Sequence, residues 1–242
     1  MIGQAAAHAP WRFASLPELG RHAGTTASLS SRVSTVPVTL VTAIEDDGLR
    51  AAPVEALKRL IVCAQRWLGV IPELEGLVLQ VVRDIHPLAA KSGYDVSHSQ
   101  PQWRETIFVS CPERDDDLGA LRLAESIVHE AMHLHLTNEE MQAPLVAAPL
   151  EMAHSPWRDT DRPVQGVMHG LFVFACIHRF LQMLTIALPL ADDVHHYITR
   201  RLGTIAEELG QIDLQDLSRN LTSRGQAAVV SWIAGVSIGR DE

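Results

Sequence analysis

The chain is poor in cysteine, lysine and long apolar runs, and each scarcity removes a class of protein. Among 242 residues there are three cysteines, Cys63, Cys111 and Cys176, widely spaced and without a CxxC pair. An odd, scattered set supports neither a disulfide framework nor a thiolate zinc site. The three are expected to be small buried apolar residues. Of the 20 basic residues only Lys58 and Lys91 are lysines, and 29 acidic residues leave a formal net charge of −9. With that charge spread along the chain, nucleic acid is a poor partner. The apolar stretch Gly170 to Ile177 is broken by His178 and Arg179, well short of the ~20 residues of a membrane span. The first residues, MIGQAAAHAPWRFASLPELG, show no basic region followed by an apolar one, so a cytoplasmic protein without membrane association is expected.

What is present is a globular apolar content, 47%, and 12 histidines. Residues 1–35, loose in Ser, Thr, Gly and Ala, are expected to form an irregular arm with a short helix around Leu16 to His22. Val36 to Ile44 is rich in β-branched residues and is expected to be a strand, ended by the acidic Gly turn at Glu45 to Gly48. From Pro53 to Leu68 the apolar spacing predicts a helix terminated at Gly69. Gly76 to Asp84 and Glu105 to Ser110 are the next strand candidates, separated by a polar loop over Lys91 to Gln102. Asp115 to Asp117 then place negative charge at the start of a helix whose apolar residues run from Leu118 to His135. A polar loop is expected over Glu151 to Arg162. Pro163 opens a strongly apolar helix that stops at Pro189, and shorter helices over Asp192 to Leu209, Asp213 to Leu221 and Gln226 to Val236 finish the chain.

Residues 129 to 133 read His-Glu-Ala-Met-His, an HExxH inside the helix that the apolar spacing predicts. Four residues apart on a helix, His129 and His133 project from one face and can share a metal ion. The competing reading is a solvated helix face with no ligand. A catalytic metal needs a third protein donor. A metzincin extension is absent, because Leu136 and Glu139 stand where Gly and His would be. None of the histidines begins a His-x-Asp or His-x-Glu pair, which argues against a jelly-roll oxygenase. Glu151, Glu207 and Glu208 are open as carboxylate ligands. His169 is the best remaining imidazole, against the plainer reading of a satisfied core histidine. His178, nine residues on, faces the opposite side of the same helix.

The stretch VHEAMHLHL (Val128 to Leu136), followed by SPWRDTDRPVQGVMHGLFVFACIHR (Ser155 to Arg179), resembles the HExxH proteins encoded in gene clusters for ribosomally made, post-translationally modified peptides (RiPP biosynthesis). The shared elements are the Val128 to His133 helix, Ser-Pro-Trp-Arg at 155 to 158, Arg162 with Pro163, and the block Gly166 to Gly170. The resemblance is confined to these two blocks. It implies an iron(II)- and 2-oxoglutarate-dependent dioxygenase that hydroxylates the β-carbon of a residue in a precursor peptide. It also implies that His129, His133 and His169 hold iron. Arg158 and Arg162 become candidates for the distal carboxylate of 2-oxoglutarate, since a guanidinium fork matches a carboxylate with two parallel hydrogen bonds; the alternative is ion pairing with Asp159 or Asp161. Ser155, Trp157 and Gln165 would line the same pocket. Glu130 is either the base of a zinc metallopeptidase or, in an oxygenase, a residue supporting the ligands. A third possibility is a scaffold that keeps metal only for structure. The expected fold class is α+β, mostly helical, with a small N-terminal sheet, a zincin-like HExxH helix and a helical C-terminal half. Residues 36–242 would form a single metal-binding catalytic domain, with 190–242 separable as a helical extension.

Overall fold

Two long helices form the middle of the protein, and the other elements pack around them. The structure is a computed structural model that describes residues 28–90, 94–234 and 236. The expected helix around Leu16 to His22 lies outside the described residues. The end of the expected arm is ordered into the core: Leu29–Arg32 is a 3-10 turn capped by Ser28, and Leu29 is fully buried.

Val36 to Ile44 is not a strand. Helix α1 (Val38–Asp46) occupies it, because Leu40 and Ile44, one turn apart, join Leu88, Phe108 and Trp103 in a small second apolar cluster. Packing overrides the β-branched composition here. The helix closes on a Schellman motif, in which Gly48 adopts φ +70° and the Gly48 N–H donates to Glu45 O at 2.9 Å. Leu49 N–H reaches back to Ile44 O at 2.8 Å, and the Leu49 side chain packs in the same cluster as Ile44.

Helix α2 (Val54–Leu68), capped at Gly69, forms as its spacing predicts. Gly76 to Asp84 departs from expectation in the same way as α1. Leu74, Leu77, Val78 and Val81 are the buried side of a helix, α3 (Pro72–Val81), with Pro72 in its first turn. The strand begins only afterwards, as β1 (Asp84–Leu88), followed by β2 (Ser97–His98) within the expected polar loop and β3 (Thr106–Ser110) where expected. The sheet order is β1-β3-β2, with β1 parallel to β3 from Asp84 opposite Thr106 to Leu88 opposite Ser110, and β2 antiparallel to β3.

Strand β3 leads into α4 (Asp117–Gln142), which carries the HExxH. Asp116 caps it by accepting from Gly119 N at 3.0 Å. The Arg114 guanidinium bonded to Asp116 holds that carboxyl down at about 2. Glu151 to Arg162 is a hairpin and not a plain loop: β4 (Met152–Ser155) pairs antiparallel with β5 (Thr160–Pro163). Its turn ends at Asp159 with φ 48°, a left-handed conformation that Asp tolerates better than most residues. The polar composition marked the turn and concealed the short strands on either side.

Helix α5 (Val164–Ala187) runs from the hairpin to Leu188. By length and composition it could cross a membrane, with mean hydropathy 1.6, but it lies packed between α4 and α6 (Asp192–Gly210) and buries residues on every side, as a core helix does. Helices α7 (Leu214–Arg219) and α8 (Ser223–Ile233) complete the mostly helical α+β fold. Of the cysteines only Cys176 is buried; Cys63 and Cys111 are half-buried, and the Cys111 thiol donates to Ala56 O.

Candidate metal centre

The polar stripe of α4 faces α5. Glu125, His129, His133 and Glu140 follow one another at steps of four, four and seven residues, which keeps them on one side of the helix. His129 Nε2 and His133 Nε2 are 3.2 Å apart. Two donors about 2.1 Å from one ion are themselves separated by roughly this distance, so the pair fits a shared cation. Burial pushes His129 down to about 4, helped by Arg201 and Arg158. It pushes His133 down to about 3, with His129, His169 and Arg162 acting in the same direction and Glu130 opposing. Both imidazoles are therefore neutral near pH 7, the form that binds metals.

His169, on the first turns of α5, is brought against this pair but not onto the same point. Its Nδ1 meets His133 Nδ1 at 3.4 Å, on the other edge of the ring whose Nε2 faces His129. The His133 and His169 rings stack with centroids 5.6 Å apart. Among the described residues, no three His, Cys, Asp or Glu side chains are grouped so as to hold a metal as they stand. His129 and His133 thus face each other through Nε2, and His169, the third residue of the expected set, stands behind His133 with its Nδ1 toward that ring. His169 Nε2 lies 2.8 Å from Glu140 Oε2, and the Gln165 amide donates to the same oxygen. His178 is buried elsewhere on α5, its Nδ1 without a hydrogen bond.

Glu130 is 4% exposed and its two oxygens accept from Ser97 Oγ at 2.6 Å and Ser99 Oγ at 2.5 Å. Strand β2 and the loop after it thus lock the second residue of the motif, with its nearer oxygen 3.9 Å from His129 Nε2. Both carboxylate oxygens accept from a serine hydroxyl, so Glu130 is held toward the sheet.

The hairpin supplies the other expected residues. Trp157, in the turn, stacks on Phe174 with centroids 5.0 Å apart, and Phe174 in turn packs its ring edge-on to His129 at 5.5 Å. The Trp157 indole N–H is buried beside Glu208, out of strict hydrogen-bond geometry, and burial pushes the Glu208 carboxyl up. Ser155 is buried at the end of β4, and its carbonyl accepts from Arg158 N. The Arg158 and Arg162 side chains are exposed, and among the described residues neither pairs with Asp159, Asp161 or any other carboxylate.

An open cleft of about 800 Å³ borders His129. Leu118, Arg122, Phe174, Tyr197 and Arg200 line it. At its wall Glu125 accepts from Tyr197 Oη and Arg201 Nε, both at 2.7 Å, and the Arg201 guanidinium lies over the Phe174 ring. Glu140, Glu125, Ser97 and Ser99 are the site residues that motif reading missed. For the two glutamates the signal was available in their spacing from the histidines; for the serines it was not, because only the sheet brings them to α4.

No protein-family model matches the chain, and no curated protein matches it in sequence. The functional reading therefore rests on these side chains and on the resemblance of the two blocks.

Proposed function

We propose that the protein is an iron(II)- and 2-oxoglutarate-dependent oxygenase that hydroxylates a residue of a ribosomally made peptide. The observation that carries the reading is the pair of guanidinium groups, Arg158 and Arg162, whose positive charge is felt at His129 and His133 while neither has a carboxylate partner among the described residues. Two free guanidinium groups beside a neutral histidine clasp suit a dicarboxylate cosubstrate better than they suit a neutral peptide bond. His129 and His133 are the residues that would hold iron, with His169, packed against His133, as the third donor that the resemblance implies. Bound there, iron(II) would supply oxygen activation coupled to oxidative decarboxylation of 2-oxoglutarate.

The chain's own residues do the rest. Arg158 and Arg162 bind and orient the cosubstrate's distal carboxylate. Trp157 and Phe174 form an apolar wall beside His129 that excludes water from the reacting centre. The cleft of about 800 Å³ that borders His129 and Phe174 is where the peptide would lie. Glu130, locked by Ser97 and Ser99, supports the first histidine, which argues against its serving as the base of a zinc metallopeptidase.

The test is anaerobic purification, loading with iron(II), and addition of 2-oxoglutarate, O₂ and the peptide encoded beside the gene. Succinate release with a mass gain of one oxygen is expected, and replacing both arginines by alanine should weaken 2-oxoglutarate binding to the iron-loaded protein. Peptide cleavage with zinc alone, and no requirement for 2-oxoglutarate, refutes the proposal.

A further inference from the structure

The walls of the cleft beside His129 carry three arginines, Arg122, Arg200 and Arg201, and three carboxylates, Asp95, Glu125 and Asp193. Five of these six charges are answered. Arg122 Nε donates to Asp95 Oδ2 at 2.7 Å, and Arg201 Nε donates to Glu125 Oε1 at 2.7 Å. Asp193 accepts from Arg114, which is not part of the lining, at 3.2 Å. Arg200 is left over: among the described residues its guanidinium pairs with no carboxylate, and the cleft keeps one uncompensated positive charge. We infer that Arg200 is a specificity-determining residue that reads an acidic side chain, aspartate or glutamate, on the peptide bound in the cleft.

The inference rests on the reading of the cleft as the place of the peptide and needs neither iron nor 2-oxoglutarate. Asp193, His196 and Arg200 recur at steps of three and four residues along α6, so one side of that helix faces the cleft. Arg200 and Arg201 are neighbours there with different surroundings. Arg201 is tied to Glu125 and lies over the Phe174 ring, which makes it part of the wall. Arg200 is exposed, and the Thr204 hydroxyl that reaches it goes to its carbonyl at 3.1 Å and leaves the guanidinium alone. The chain as a whole carries a formal charge of −9, so an acidic peptide gains nothing from the overall field and its preference must come from a local contact. A guanidinium meets a carboxylate with two parallel hydrogen bonds to a full charge, an amide oxygen with weaker neutral bonds, and an ammonium with repulsion alone. The expected order of preference is therefore acid, then amide, then base. In the proposed reaction Arg158 and Arg162 serve the cosubstrate from the hairpin, whereas Arg200 comes from α6, so the two anions have separate guanidinium groups.

Fluorescence anisotropy on the metal-free full chain at low ionic strength tests this with three labelled Gly/Ala peptides, identical but for a central Asp, Asn or Lys. The wild type should bind the Asp peptide about 5-fold more tightly than the Asn peptide, as a partly exposed ion pair allows, and the Lys peptide most weakly. Added salt should narrow the contrast. Arg200→Gln should level the three affinities, and Arg200→Glu should reverse their order so that the Lys peptide binds most tightly. A general loosening of the fold would weaken all three peptides together and would not reverse them. Because the Arg200 side chain has no partner to lose, both variants should keep the wild-type circular dichroism spectrum and Tm. Equal wild-type affinities, no measurable binding of any of the three peptides, or an Asp preference that survives in Arg200→Glu overturns the proposal. The two readings fail separately: an Asp preference that depends on Arg200, without succinate release in the turnover assay, refutes the oxygenase and keeps the acidic-residue site, whereas hydroxylation without any charge preference refutes the role of Arg200 alone.

Discussion

Gly170 offers a sharp test of how the hairpin is seated on α5. A Cβ built at Gly170 would lie 2.6 Å from Cζ3 and 2.8 Å from Cε3 of Trp157, where carbon contacts are most favourable at about 3.5–4.0 Å. The indole ring is also stacked on Phe174, one turn further along the same helix, so it cannot move aside without giving up that contact. Replacing a helix glycine by alanine gains about 1 kcal/mol when nothing interferes, whereas overpacking costs about 1–3 kcal/mol. Gly170→Ala should therefore destabilise by up to about 2 kcal/mol, and at roughly 2–4 °C per kcal/mol for a chain of this size the Tm should fall by several degrees. Two comparisons isolate the cause. Gly203, in α6, has open space where its Cβ would go, so Gly203→Ala should raise stability by about 1 kcal/mol. In a Trp157→Ala background Gly170→Ala should also become stabilising, giving a coupling of about 2 kcal/mol in a double-mutant cycle read by urea unfolding. If Gly170→Ala stabilises the wild type as Gly203→Ala does, Trp157 does not occupy α5 at that point, and the apolar wall beside His129 is lost from the functional argument.

Three further outcomes are expected. Because His129 and His133 titrate at about 4 and about 3 when folded and near 6.5 when unfolded, the folded state binds fewer protons in acid. Stability should hold above pH 6.5 and fall as pH drops toward 4, by on the order of 5 kcal/mol for the two histidines together, after a discount for the 27% of the His129 side chain that faces solvent. Urea midpoints across that range should flatten in the metal-free His129→Asn/His133→Asn variant, and an unchanged slope refutes the assignment. Glu125→Ala leaves Arg201 and Tyr197 facing an empty acceptor position and should cost about 3 kcal/mol, with Glu125→Gln costing clearly less; a loss under about 1 kcal/mol for Glu125→Ala would show that water replaces the carboxylate. Ser97→Ala and Ser99→Ala each remove a donor from a buried carboxylate and should each lower stability by about 1.5–3 kcal/mol; chemical denaturation showing neither loss would mean that the Glu130 clamp is absent in solution.

The chain by itself determined the long helices and the pair of histidines. Helices α2, α4 and α5 repeat apolar residues over many turns and are punctuated by Pro53, Asp116, Pro163 and Gly69, so local geometry and burial agree. An HExxH on such a helix has one possible arrangement of its imidazoles, because the helix itself sets it. Only the tertiary structure decided the short elements and the surroundings of the histidines. Val38–Asp46 and Pro72–Val81 each contain β-branched residues that suit a strand as well as a helix, and what selects the helix is the apolar cluster awaiting Leu40 and Ile44 in one case and Leu74, Leu77 and Val81 in the other. The position of His169 behind His133, where three converging ligands were expected, depends on how α5 crosses α4. Of the serines that hold Glu130, Ser97 lies in the strand paired with β3 and Ser99 in the loop that follows, both more than thirty residues from Glu130 in sequence. Contacts of that kind are set by packing between elements, which no local spacing encodes.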